Sequence, residues 1–397
     1  MLFSVPLLLG FGFVLTGAAL ARPSSYAVWG ADSAIARGQG NGLSSAGAPS
    51  VSYEHGEFQY ALRHLLDRTG NQTYFDYILA GANNIVFDNG TVHGGYNVTD
   101  FVLDPVRTGP TFLYLYRKTG QAKWKKAADI FRGQLNSQPR TGQGQFWHKL
   151  IYFNQGWLDG IYMGDVFYAE YTSMFDTHNT TAWADITAQF QLIYDNTRQI
   201  PGVANYTGLL YHGYDWSHTA VWASPDRGHS PEVWDRALGW YMMALVDTAE
   251  LAPPTSGALK PTILTILNDL APNLRAAADP VSGVWWLVIT QPGRAGNYFE
   301  SSGSMMFVYA ILKAVRLGYL KDRDGSYVRA MKKAYAYATA TWVLPQTDGT
   351  FAWNATVNVG SLNLSGDYNY YISQFIALND LKGLSAFILA SMEIEML

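Results

Sequence analysis

Beyond residue 50, apolar positions recur at helical spacing along most of the chain, and they do so in pairs of segments. Helices are predicted near 53–68, 72–86, 108–118, 121–136, 154–175, 180–198, 231–251, 258–278, 301–318, 324–341, 369–379 and 383–394, which makes twelve helices, or six hairpins. Links inside a pair are short, as at Thr69-Gly70, Thr119-Gly120 and Pro253-Pro254-Thr255-Ser256-Gly257, and short links join antiparallel neighbours. Links between pairs are long, over 87–107, 137–153, 199–230, 279–300 and 342–368, and rich in Gly, Asn and aromatic residues. This alternation puts every long loop at the same end of the bundle. Loops of that length in a compact domain usually carry function.

First and second helices of the pairs also differ in pattern. Met305-Met306-Phe307-Val308-Tyr309-Ala310-Ile311-Leu312 is apolar all round, whereas Lys123, Lys125, Lys126 and Arg132 make one face of 121–136 polar. The first pattern is that of a buried helix and the second that of a peripheral one. Six inner helices ringed by six outer ones describe an all-α, single-domain (α/α)6 toroid, with a cavity at the long-loop end. An α-solenoid is the alternative, but no sequence signature repeats at a fixed period. Ahead of the first pair, residues 22–50 include the Gly/Ser-rich stretch Gly38-Gln39-Gly40-Asn41-Gly42-Leu43-Ser44-Ser45 and are expected to form an arm, with the folded domain spanning 51–397.

Composition narrows the function classes. Of 397 residues only 15% are charged, against roughly 25% in an average globular domain, and 48% are hydrophobic, which excludes disorder. A net charge of −4 offers no positive footprint for nucleic acid. Leu2 to Leu20 is nearly all apolar or small, and Ala19-Leu20-Ala21 has the small-x-small form of a signal-peptidase site, so 1–21 is read as a secretory signal and the protein as secreted. No later segment is long and apolar enough to span a membrane. Sequons at Asn71, Asn89, Asn97, Asn179, Asn205, Asn354 and Asn363 fit glycosylation in such a pathway. Cysteine is absent, so stability must come from a large core and not from disulfides.

Several polar residues fall at the long-loop end: Asp104, His148, Asp159, His212 and Arg236. Asp159 stands near the start of an apolar helix between Trp157 and Tyr162; a carboxyl among aromatic rings is disfavoured as the anion, so its pKa is expected to rise, as a general acid requires. A helix-start aspartate bonded to backbone amides is the plainer alternative. Asp104 precedes Pro105, where an ordinary turn or cap residue would also stand. Paired carboxylates are the usual apparatus of glycoside hydrolysis. The two histidines lack metal-ligand spacing and suit hydrogen bonding to a substrate; neither metal nor cofactor is expected. Arg236 offers a planar donor fork for a substrate carboxylate, unless it pairs with Glu232 one helical turn earlier. Thirteen Trp and 26 Tyr suit sugar stacking as well as core filling. Asp322 to Gly325 has half of a calcium loop and reads as a turn.

Taken together, Tyr53-Glu54-His55-Gly56, Trp157-Leu158-Asp159-Gly160-Ile161-Tyr162-Met163, the run from Ser230 to Tyr241, Glu300-Ser301-Ser302-Gly303-Ser304, Tyr370-Tyr371-Ile372-Ser373 and the stretch from Asn379 to Ala390 resemble the family 105 glycoside hydrolases, the unsaturated rhamnogalacturonyl hydrolases. The resemblance runs from about Tyr53 to Ala390 and implies an (α/α)6 barrel. It places the catalytic aspartate at Asp159, a second active-site aspartate at Asp104, and substrate contacts at Tyr53, His148, Met163, His212, Arg236 and Trp240; Trp157, two residues before Asp159, is a further candidate for contact with the sugar. Asp235 stands where a small residue is expected and Leu381 where proline is expected. The implied substrate is an oligosaccharide ending in a 4,5-unsaturated uronate, bound by a monomer. A related unsaturated glucuronyl hydrolase, or a secreted glycan-binding toroid without catalysis, would share much of this pattern.

Overall fold

A computed structural model describes residues 23–397, so the expected signal at 1–21 lies outside the described residues. Six helices form an inner ring in the order α2 (Tyr53–Thr69), α4 (Gly109–Thr119), α7 (Val166–Phe175), α9 (Asp235–Leu251), α11 (Ser301–Arg316) and α14 (Leu381–Ile394), and α14 closes against α2. Outside them lie α3 (Gln72–Asn83), α5 (Ala122–Ser137), α8 (Thr180–Thr197), α10 (Leu259–Ala276), α12 (Ser326–Thr341) and α1 (Tyr26–Ala36). The protein is therefore an (α/α)6 barrel. Two minor helices, α6 (Leu158–Gly160) and α13 (Tyr368–Ile372), lie in the loops of the functional end.

The patterning explains which helix goes where. Helices α9, α11 and α14 are buried almost throughout, with long apolar runs that leave no solvent-facing side. Outer helices α5 and α12 bury one stripe, through Trp124, Ala127, Ala128 and Phe131 in the first and Tyr327, Met331, Ala334 and Ala338 in the second. Left-handed Gly70 and Gly120 end α2 and α4 and turn the chain straight into the outer partner, the short links that the sequence showed.

Two expectations are corrected here. Of the expected arm at 22–50, the described residues from 23 on are not loose: Ser25 caps α1, whose Ala27, Gly30, Ala31 and Ala34 lie against α14 with no exposed surface on the three alanines. Helix α1 is the outer member of the sixth hairpin, so the ring is closed by joining the two ends of the described chain. The segment at 369–379, expected as the first, inner helix of the sixth pair with 383–394 outside it, is helical only as α13 and then forms β6 (Ile376–Ala377), antiparallel to β5 (Thr356–Val357), and the inner place is taken by α14. Its run of apolar residues misled the helical reading, because Phe375, Ile376 and Leu378 point outward at the loop end instead of into the core. Two further short ladders, β1 (Gln155–Trp157) with β2 (Gly213–Asp215) and β3 (Val343–Pro345) with β4 (Phe351–Trp353), stiffen the loops.

Sequon residues Asn71, Asn89, Asn97, Asn205 and Asn363 are exposed, and Asn179 and Asn354 half-buried. Among the described residues no helix is long and apolar enough to cross a membrane.

Candidate active site

Asp159 is placed by the β1–β2 ladder. Trp157 pairs with Gly213, and the Leu158 N–H donates to the His212 carbonyl at 3.0 Å, so the carboxyl of Asp159 and the ring of His212 emerge side by side. Asp159 Oδ2 lies 3.0 Å from His212 Nε2, and His212 Nδ1 is 2.7 Å from the Tyr371 hydroxyl. With the hydroxyl donating to Nδ1, the ring carries its proton on Nε2, facing the carboxylate. The approach of Oδ2 lies off the ring N–H direction, and both atoms lack a hydrogen-bond partner among the described residues.

Asp104 arrives from a neighbouring loop because two glycines leave room for it. Asp159 is followed by a π-helical turn, Ile161–Asp165, with Gly160 and Gly164 one above the other; Leu103 packs on both, and a Cβ on either would come within 3.1–3.2 Å of its methyl groups. Leu103 is also tied to the second loop, its N–H donating to the His148 carbonyl at 3.1 Å. Asp104 Oδ2 then takes an ion pair from Lys149 at 2.7 Å, and Oδ1 lies 3.3 Å from His148 Nε2. π-Turns inside helices are frequent at functional sites, where they re-aim side chains.

Arg236, in the first turn of α9, is almost wholly buried with its guanidinium 4.8 Å over the Trp234 ring. It donates to the carbonyls of Val357 and Asn358, which hold the chain segment leading to the pocket wall at Val359, Gly360 and Ser361. Glu232 does not pair with it: that carboxylate accepts from Gln291 and Thr290 instead. Aromatic rings complete the cavity. His148, Trp157 and Tyr152 form a stack with centroids 4.5 Å apart, and Tyr162 stacks on Trp240 at 5.0 Å.

One pocket at the long-loop end is thus lined by Tyr53, Asp104, His148, Trp157, Asp159, Met163, Arg236 and Trp240, eight of the nine residues singled out from the sequence. His212 is the exception. It has no exposed surface and stands behind Asp159, so it acts on the carboxyl and not as a pocket wall. Lys149, Tyr152 and Trp234 also line the pocket and were not assigned roles from the sequence. Lys149 was signalled only by its place next to His148; Tyr152 and Trp234 were lost among many other aromatics.

The electrostatics correct one expectation. Burial by itself pushes the Asp159 carboxyl upward, as its aromatic neighbours suggested, but His212 and His148 more than offset this and hold it below the ordinary aspartate value. Asp104, the second carboxylate of the pocket, has its negative charge neutralised by Lys149 at contact distance. His148 is driven down to about 4 by burial, which Asp104 only partly offsets, so it is a neutral hydrogen-bonding ring near neutral pH. Among the described residues no group of three His, Asp or Glu converges as a metal site would require.

Comparison with known proteins places this arrangement. A family model described as Glycosyl Hydrolase Family 88 matches residues 32–397. A family 105 glycoside hydrolase of C. acetobutylicum has a solved structure that superposes with a TM-score of 0.86 at 37% identity, covering 94% of this chain and 100% of that one. The unsaturated glucuronyl hydrolase of Bacillus sp. GL1 shares the fold, with a TM-score of 0.64 at 11% identity over 93% of this chain and 96% of its own. A protein of Agrobacterium fabrum is 33% identical over 225 residues, 53% of this chain and 94% of its own length. With the family model matching nearly the whole described chain, and with its carboxylates gathered at the loop end of an (α/α)6 barrel, the protein belongs to glycosyl hydrolase family 88 and is a glycoside hydrolase.

Proposed function

We propose that the enzyme removes a 4,5-unsaturated galacturonyl residue from the non-reducing end of rhamnogalacturonan lyase products, by hydrating the sugar's C4=C5 enol ether. The observation that carries this reading is one buried aspartate, backed by His212, in a pocket that also holds two cations, Lys149 and Arg236. An anionic sugar with a reactive double bond needs that combination. The motifs from Trp157 to Met163 and Ser230 to Tyr241 favour the rhamnogalacturonyl form of the substrate, and the 37% identity to a family 105 enzyme is consistent with it. The apolar segment Leu2 to Leu20 supports secretion, which would bring the enzyme to extracellular polysaccharide.

In the reaction, Asp159 gives its proton to C4, and the ring oxygen stabilises the cation that forms at C5. Water adds to C5 and returns a proton to the Asp159 carboxylate. The hemiketal so formed opens, releasing the leaving sugar as an alcohol together with a keto-uronate, and Asp159 ends protonated as it began. Arg236 and His148 receive the uronate carboxylate, and Asp104, fixed by Lys149, accepts from hydroxyls or from the water. Because His212 favours the anion in the free enzyme, the proton on Asp159 is stabilised only once an anionic substrate has entered and displaced water, both of which raise a carboxyl pKa.

Asp159→Asn should lower kcat on an unsaturated galacturonyl disaccharide by about 10²–10⁴-fold, the usual contribution of a general acid, followed as loss of the ultraviolet absorbance of the double bond. Near-normal turnover would refute the assignment. Comparing pectin-derived with glucuronate-derived products tests the sugar class, and no absorbance loss on either would favour a binding role.

A further inference from the structure

Asp235 is one of the two residues that depart from the family pattern, and it sits in an unusual place. Its side chain has no exposed surface, and both carboxyl oxygens lack a donor among the described residues. Beside it is a second carboxylate, Glu300, also without exposed surface. The two converge on Gly303: Glu300 Oε2 accepts from the Gly303 N–H at 2.8 Å, while a Cβ on Gly303 would fall 2.4 Å from Asp235 Oδ2. Only a residue without a side chain fits between them. Two anions cannot share such a place, so one of the pair must hold a proton.

Glu300 is already well supplied as an anion. It accepts from Ser302 Oγ at 2.8 Å and 2.9 Å and from the Val357 N–H at 3.0 Å, and Arg236 Nη1 lies 4.0 Å away. Asp235 has no such donors, which marks it as the protonated partner. Burial first, and Glu300 second, push its carboxyl well above the ordinary value, with Arg236 opposing. Tyr298 is the other titratable group facing this cluster, and burial pushes it up as well, so it stays neutral.

We propose that Asp235 is a positioning residue: as a neutral acid it donates a hydrogen bond to Glu300, and this acid–carboxylate pair fixes both Arg236 and the pocket wall that follows Val357. Glu300 is the joint. One of its oxygens holds the Val357 N–H, and the carbonyls of Val357 and Asn358 hold the guanidinium. The donor from Asp235 keeps that oxygen pair in register. The inference rests on Arg236 receiving the substrate carboxylate, as proposed above.

The test compares Asp235→Asn and Asp235→Ala with the unaltered enzyme, using the unsaturated disaccharide and its neutral methyl ester. An amide can still donate to Glu300, so Asp235→Asn should keep kcat and KM within about twofold. Asp235→Ala removes the donor and should raise KM for the charged sugar roughly tenfold, the loss of one charge-assisted hydrogen bond, with kcat nearly unchanged and little effect on the ester. As pH rises through the raised pKa of Asp235, KM of the unaltered enzyme should rise while that of Asp235→Asn stays level. Infrared spectra at neutral pH should show a protonated-carboxyl band that Asp235→Asn lacks. The proposal is overturned if Asp235→Asn behaves like Asp235→Ala, or if the band is the same in both proteins; the infrared and Asp235→Asn results decide even if the alanine variant does not fold. Failure of the Arg236 reading is distinguishable, because Arg236→Lys would then leave the preference for the charged sugar over its ester unchanged.

Discussion

Asp159 is acidic or basic according to one neighbour. Burial raises its carboxyl and His212 lowers it, and the balance falls on the side of the anion. If the protonated form donates to C4, kcat/KM follows the free enzyme and must fall as pH rises through this lowered pKa. Replacing His212 by Ala removes the lowering partner and leaves burial in place, so the pKa rises. The alkaline limb of kcat/KM should then move to higher pH, even as the maximal rate drops for want of an oriented partner. A pH–rate profile checks this, and a limb that stays in place would remove His212 from the role. The identity of the acid could be read from Trp157-Leu158-Asp159-Gly160, but its charge state could not. That depends on a ring 53 positions later, aligned only when β1 pairs with β2, and sequence carries no trace of that register.

At the scale of elements, the hairpin pattern was legible because inner and outer helices solve different burial problems. All-round apolar Met305 to Leu312 can lie only inside, and the lysine face of α5 only outside. The sixth pair was misassigned for a reason of the same kind. Small residues such as Ala27, Ala31 and Ala34 give a weak apolar signal, whereas Phe375-Ile376-Ala377-Leu378 gives a strong one. Close packing of α1 on α14 uses the small residues because backbones must approach, and Gly30 shows how little room there is: a Cβ there would come 3.0 Å from Ile388. Ala34→Glu should therefore force an unpaired charge into this contact and destabilise the fold by on the order of 3 kcal/mol. Ala36→Glu, on the exposed side of the same helix, should change stability by less than about 0.5 kcal/mol. Thermal unfolding of the two variants compares them directly, and equal effects would mean that α1 does not close the ring.

Across the whole molecule, the barrel interior is not a uniform apolar core. Beneath the pocket, where α2 meets the loop before α4, Arg107 lies 2.7 Å from Glu57 and donates at 2.6 Å to the Tyr162 hydroxyl, which donates in turn to Glu57 at 3.1 Å. Both charged side chains are essentially without solvent, and burial raises the Glu57 carboxyl even against the pull of Arg107. Two ions so placed recover little of what their desolvation cost, but removing one strands the other. Arg107→Met should therefore destabilise the enzyme by about 3–5 kcal/mol, the penalty for a buried charge left unpaired. Adding Glu57→Met and Tyr162→Phe removes the stranded groups as well, and should restore most of that loss, because apolar side chains of similar volume can fill the same space. Denaturant unfolding of the single and triple variants measures the difference. A triple variant no more stable than Arg107→Met would show that the network contributes net stability of its own. Tyr162 follows Asp159 by three residues and stacks on Trp240 in the pocket, a contact that phenylalanine keeps. Turnover by the triple variant should therefore stay within a few-fold of the unaltered enzyme if the ring, and not the hydroxyl, supports the catalytic helix.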